Sequence, residues 1–139
     1  MIPFEYRQPT SDDTSFIYAT WLNNARRLFD HRFIRSRIYF KGYKSHIERI
    51  MRDAQVTVIC NPESPTQIFG WVCFTPKTEF TLVHYAFVKE TYRNLGLMKA
   101  LIGSFPGQKV ITHITPKVQE VTDKYELVYN PYALDLLGG

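Results

Sequence analysis

Residues 92–102, Tyr-Arg-Asn-Leu-Gly-Leu-Met-Lys-Ala-Leu-Ile, set a glycine between an apolar, strand-like run and a helix-like one. A turn of this kind can hold an anion. A helix start offers backbone N–H groups without intrahelical partners and about half a positive charge. Gly96 withholds a side chain where backbone would close on a phosphate, and Arg93 and Lys99 add charge beside it. The same residues also suit a tight strand-to-helix corner with no ligand. A second concentration of chemistry lies upstream. Between Arg26 and Arg52 stand nine arginines and lysines against Asp30 and Glu48, a local excess of seven positive charges in a chain of net charge +4. Such a segment attracts nucleic acid, an acidic protein or a phosphate-rich cofactor, or else forms a solvated face balanced by acids elsewhere. Phe33, Tyr39, Phe40 and Tyr43 interleave with Arg32, Arg35 and Arg37. That mixture suits phosphate binding with base stacking, an acidic peptide, or the edge of a core.

Other reactive residues are sparse. Cys60 and Cys73 lack metal-ligand spacing and read as reduced thiols of an intracellular protein. His31 and His46 fall in the basic segment and His84 and His113 lie further on, none with the spacing of a metal site, so no metal is expected.

These residues need a scaffold, and 139 residues, 45% of them hydrophobic, are enough for one domain with a real core, read here as spanning 1–139. No 18-residue apolar run predicts a membrane helix, and the first residues lack the basic-then-apolar order of a signal peptide. Residues 4–10 read as a short strand. Residues 11–29 read as a helix, started by Ser11 or Asp12 as cap, with Phe16, Ile17, Ala19, Thr20, Trp21, Ala25 and Leu28 near the 3.6 period. Residues 30–40 read as irregular and basic, and 41–54 as a second helix with Ile47, Ile50 and Met51 on one face. The period then becomes two. Residues 55–60 and 68–76 form a hairpin around an Asn/Pro-rich turn, and 80–88 a third, nearly continuous apolar strand that suits a sheet centre. A helix over 92–105 and a strand over 109–115 follow, a unit that is normally parallel. Residues 116–125 read as a short helix or turn, and 126–137 as a last strand and tail. The order β-αα-βββ-α-β-(α)-β predicts an α/β (α+β) fold: a mixed, mostly antiparallel twisted sheet with helices on both faces.

The element order and the stretch His84–Ile102 resemble the GNAT superfamily of acyl-CoA N-acyltransferases. That superfamily has Arg/Gln-x-x-Gly-x-Gly/Ala opening a helix after a central strand; here the match is Val88, a short link, then Arg93-x-x-Gly96-x-Met98. The resemblance covers most of residues 4–115, and the opening residues 6–22 are similar to uncharacterised phage-encoded proteins of this type. It implies acetyl-CoA as the cofactor. Amides of Asn94, Leu95, Gly96, Leu97 and Met98, with Arg93, would hold the pyrophosphate. Main chain at Phe87 and Val88 would pair with the pantetheine arm as an added strand. Where the family has Gly or Ala, this chain has Met98, which either crowds the cofactor or folds away onto the helix.

The resemblance also implies roles. Many members place a carboxylate four residues before the strand's last apolar residue, which falls on His84; an imidazole there could accept a proton, with Glu79 as the second candidate. Strand alternation puts His84, Ala86 and Val88 on one face and Tyr85 and Phe87 on the other. The family's general acid, often a tyrosine, falls nearest to Tyr125, with Tyr129 and Tyr132 as fallbacks. The implied activity is transfer of an acetyl group to an amine of a small molecule or protein in the cytoplasm, the bacterial host's if the chain is phage-encoded. Two alternatives share the fold: a non-catalytic accessory protein that binds a host protein or nucleic acid, and a DNA-modifying enzyme reading through the basic segment.

Overall fold

The computed structural model describes residues 2–28, 34–105, 107–111 and 127–130. Six strands form one sheet: β1 (Glu5–Arg7), β2 (Gln55–Asn61), β3 (Ser64–Pro76), β4 (Thr81–Val88), β5 (Lys109–Ile111) and β6 (Val128–Tyr129), in spatial order β1-β2-β3-β4-β5-β6. The first three pairings are antiparallel; β4–β5 and β5–β6 are parallel. The mixed, mostly antiparallel sheet expected from the sequence is present, with β4 where antiparallel pairing gives way to parallel. The strand expected over 109–115 is described as far as Ile111, and the expected helix or turn over 116–125 lies outside the described residues.

Three register shifts interrupt the ladders, one of them near the β2–β3 turn, where Cys60 faces Ile68 and Asn61 faces Ser64. The other two are bulges. Ile59 faces Gly70 but Cys60 faces Ile68, which leaves Phe69 as an extra residue. Cys73 faces Tyr85 but Phe74 faces Val83, which leaves His84 as one. A bulge adds local twist and re-aims side chains. Gly70 is required at the first: a Cβ there would lie 2.3 Å from the Phe87 carbonyl oxygen.

Helices α1 (Thr14–Leu28) and α2 (Ser36–Met51) cover one face of the sheet, and α3 (Leu97–Ile102) the other. On the α1/α2 face Ile17, Trp21 and Ala25 recur every fourth residue and meet Val58, Trp71 and Tyr85. Trp21 stacks on Tyr85 at 5.5 Å, and Trp71 donates to Thr20 Oγ1 at 3.0 Å. On the α3 face Ile59, Phe69, Val72, Val83 and Val88 pack against Leu97 and Leu101.

Three local expectations are corrected. Ser11 and Asp12 do not stand at the start of the first helix; residues Ser11–Asp13 form a single 3-10 turn ahead of α1, and Thr10 caps that turn. Its amide donates to Asp13 Oδ2 at 2.6 Å, while Asp13's amide donates back to the Thr10 carbonyl at 3.0 Å. Arg7 of β1 grips the same carboxylate with two bonds of 2.7 and 3.1 Å. That guanidinium, with the Thr10 amide, holds Asp13 below the ordinary 3.8, at about 2. The second helix starts at Ser36, five residues before the expected Lys41, because Tyr39 belongs to its core face. Tyr39 is 3% exposed and donates to the Leu22 carbonyl at 2.5 Å. The third helix starts at Leu97 and not at Tyr92, since Asn94 (φ 65°) and Gly96 (φ 81°) are both left-handed and break any helix through them.

Candidate active site at the end of β4

β4 leads directly into the turn that carries the chemistry. Val83 is the last β4 residue paired with a described residue of β5, Ile111; His84–Val88 run on beyond it, with Tyr85–Val88 paired with β3 on their other side. After Val88, Lys89 ties back to β3 through its amide on the Phe69 carbonyl at 2.9 Å, and Glu90–Tyr92 make one 3-10 turn. Asn94 and Gly96 then reverse the chain into α3. The helix's first turn closes with the Ala100 amide on the Gly96 carbonyl at 3.1 Å. Its leading amides precede that bond and have no carbonyl behind them.

Side chains leave this corner open. Arg93, Asn94, Gly96 and Lys99 are exposed, and Leu97 is buried beneath them. Met98 is half-buried and packs against the α3-face core. Of the two arrangements expected for its thioether, packing onto the helix-side core is the one present. Arg93 curls back, and its Nε donates to the Val88 carbonyl at 3.0 Å. Lys89 lies with its ammonium 5.1 Å from the Phe16 ring centre, and Phe16 meets Phe87 edge-on at 6.1 Å. The start of α1 therefore flanks the end of β4 on the opposite face.

His84 is 7% exposed, with Nε2 2.7 Å from Thr75 Oγ1. Ala86 and Val88 face the α3 core while Tyr85 and Phe87 face α1 and α2, as alternation requires. The bulge at His84 interrupts that alternation, because Val83 already faces the α3 core. Glu79 is exposed in the turn before β4, at the strand end remote from Gly96. Tyr129 lies on β6 at 44% exposure. Tyr125, Tyr132 and His113 lie outside the described residues, as do Arg32, Phe33 and His31.

The sequence missed the residues that support the corner. Tyr92 packs at a tilt against Phe69, ring centres 4.5 Å apart, and its hydroxyl oxygen accepts a bond from Gln67 Nε2 at 2.6 Å. Gln67 Oε1 accepts in turn from Asn61 Nδ2 at 2.9 Å. On the far side, the Tyr6 hydroxyl of β1 donates to the Ala100 carbonyl at 2.8 Å. These contacts join residues 25 and 94 positions apart, which no local pattern announces.

The basic segment divides in two. Arg26 is committed to structure: it donates to Ser36 Oγ at 2.9 Å and lies 5.3 Å from the Tyr39 ring centre. Tyr39 and Tyr43 stack on each other at 5.4 Å and pack inward, which favours the core-edge reading of those rings over a surface for bases. Burial and the neighbouring Arg49 push the His46 imidazole below its ordinary value. Cys60 and Cys73 are buried free thiols, and burial pushes Cys73 up to about 12, which makes it a poor nucleophile. A cavity of about 270 Å³ lies among Thr10, Ser11, Thr14, Ile17, Tyr18 and Met51, away from the Gly96 corner. Among the described residues no group of three His, Cys, Asp or Glu could hold a metal, and no helix is long and apolar enough to cross a membrane.

No family model matches the chain, and no curated protein matches it by sequence. Solved structures match it in shape. A possible acetyltransferase from Clostridium difficile 630 superposes with a TM-score of 0.62 at 16% identity, over 88% of this chain and 87% of that one. The chain has the GNAT acetyltransferase fold. The ribosomal-protein-alanine N-acetyltransferase of Brucella melitensis biovar Abortus 2308 gives a TM-score of 0.50 at 16% identity, over 92% and 80% of the two chains. The PaiA N-acetyltransferase of Thermoplasma acidophilum, in complex with coenzyme A, gives 0.50 at 10% identity, over 91% and 76%. Identities of this size speak for the GNAT fold alone; what the corner can do rests on its own residues.

Proposed function

We propose that this chain is an acyl-CoA-dependent N-acyltransferase that moves an acetyl group from acetyl-CoA to an amine. One observation carries the reading: at the end of β4, two left-handed residues, Asn94 and Gly96, turn the backbone into the start of α3 beside exposed Arg93 and Lys99, while Met98 packs against the core. The leading amides of α3, beside exposed Arg93 and Lys99, suit a pyrophosphate. Main chain at Phe87 and Val88 would hold the pantetheine arm, once Arg93 releases the Val88 carbonyl. The bound thioester supplies an acyl carbon open to attack by a neutral amine.

His84 is the proposed general base. It would take the amine's proton at Nε2, beside the Thr75 hydroxyl and next to the last recorded β4–β5 pair. Tyr125 is the proposed general acid, returning a proton to the departing thiolate. We place the activity in the cytoplasm, with the chain encoded by a phage, on the sequence resemblance alone.

A second reading is a non-catalytic protein on the same fold. The Arg93–Val88 bond favours it, since it occupies a carbonyl that a pantetheine arm would use. Thermal unfolding with and without acetyl-CoA separates the two. At a hundredfold excess over its dissociation constant, the ligand stabilises the acyltransferase by about 2.7 kcal/mol. An unmoved midpoint at millimolar acetyl-CoA overturns the first reading. Given binding, His84→Gln should lower turnover while leaving the acetyl-CoA shift intact.

A further inference from the structure

The outer face of α2 has features that the described residues do not use. Ile38, in the first turn of α2, is 62% exposed, and Ile34, just ahead of the helix, is 39% exposed. Lys41 and Ser45 continue the ridge of Ile38 along α2, and these three are exposed, away from the core face of Tyr39, Tyr43 and Ile47. From Ile34 to Ile47 there are fourteen residues without one Asp or Glu, while Arg35, Arg37, Lys41 and Lys44 are all exposed. Gly42 stands one turn after Ile38 in the middle of this helix. A Cβ there would meet nothing within 4 Å among the described residues, so none of their contacts requires a glycine. Glycine in an exposed helix interior is unfavourable, and a close approach of other backbone is one reason to keep it.

We propose that this face docks an acidic segment of a partner protein, its carboxylates on Arg37, Lys41 and Lys44 and one apolar side chain on Ile34 and Ile38, with its backbone crossing at Gly42. Charge complementarity selects the occupant. Nucleic acid fits less well: the aromatic rings of the segment pack inward, and exposed isoleucines add nothing to phosphate binding. An anionic membrane fits less well too, because the main apolar stripe of α2 is spent on the core and two isoleucines are a small surface to insert.

The test uses the intact chain and fluorescence anisotropy of a labelled synthetic peptide, a run of glutamates around one leucine. It should bind about tenfold more tightly than the same peptide with serine for leucine, the burial of one aliphatic side chain. Ile38→Ser should erase that preference, and Arg37→Glu with Lys41→Glu should abolish binding of both peptides. Gly42→Ala should raise the unfolding midpoint by a few degrees yet weaken the leucine peptide, opposite signs that a purely structural glycine would not give. The acetyl-CoA shift should be unchanged in every variant, which separates this surface from the proposed active site. No peptide binding at low salt, unaltered peptide affinity in Gly42→Ala, or tighter binding of a single-stranded oligonucleotide or phosphatidylserine vesicles would each overturn the proposal.

Discussion

The two faces of the sheet are built to different plans. The α1/α2 face is aromatic and cross-linked: Trp21, Trp71, Tyr85 and Phe87 form one ring cluster, and Thr20 ties it to α1 by accepting from Trp71 and donating to the Phe16 carbonyl at 2.8 Å. The α3 face is more aliphatic, and its helix has only six residues. A thick layer on one side supplies stability, and a thin one on the other leaves backbone at the end of β4 within reach. The fold and the candidate site therefore lean on different residues, and substitutions should separate them.

The largest effect should fall on the thick face. Trp71→Ala should cost about 4 kcal/mol in urea unfolding, the usual loss for a fully buried tryptophan. A loss below about 1 kcal/mol would end the division of labour drawn here.

Next comes the clamp at the start of α1. Arg7→Met leaves Asp13 buried without its cation and should cost about 3 kcal/mol at neutral pH. The pH dependence has a definite sign. Asp13 sits at about 2 when folded against 3.8 ordinarily, so the unfolded chain binds more protons between those values. The contribution is complete above about pH 4 and drains away as pH falls through about 2. In acid titrations followed by circular dichroism, that dependence should shrink in Arg7→Met; an unchanged profile would move the acid sensitivity elsewhere.

The thin face should answer in ligand binding more than in stability. Gly96→Val forces a β-branched residue to φ 81° and should cost about 2 kcal/mol, while removing the whole acetyl-CoA shift. Retention of that shift would place the cofactor elsewhere. Smallest is Gln67→Leu, which cuts two exposed hydrogen bonds, to Tyr92 and from Asn61, and should cost about 1 kcal/mol or less, with weaker acetyl-CoA binding as its clearer sign.

Much of this was legible in the sequence because it is local. The period-two runs announced β2, β3 and β4, and the Ile17, Trp21 and Ala25 spacing announced α1. Gly96 marked the corner. What escaped was set by contacts distant in sequence. Arg7 grips Asp13 in a 3-10 turn that Thr10 caps ahead of α1, and Tyr39 reaching Leu22 drew α2 forward through a stretch whose charges hid its period. The bulge at His84 follows from the register of two strands and from nothing within β4 alone.

The corner between β4 and α3 is held at both ends, at Tyr92 by Gln67 and at Ala100 by Tyr6. Only seven residues separate the two anchors, and two of them already occupy left-handed conformations. Little conformational freedom is left there for a ligand to remove. An anion arriving at Gly96 would meet a preorganised seat, and its affinity would be spared most of the entropy that ordering a loose loop consumes.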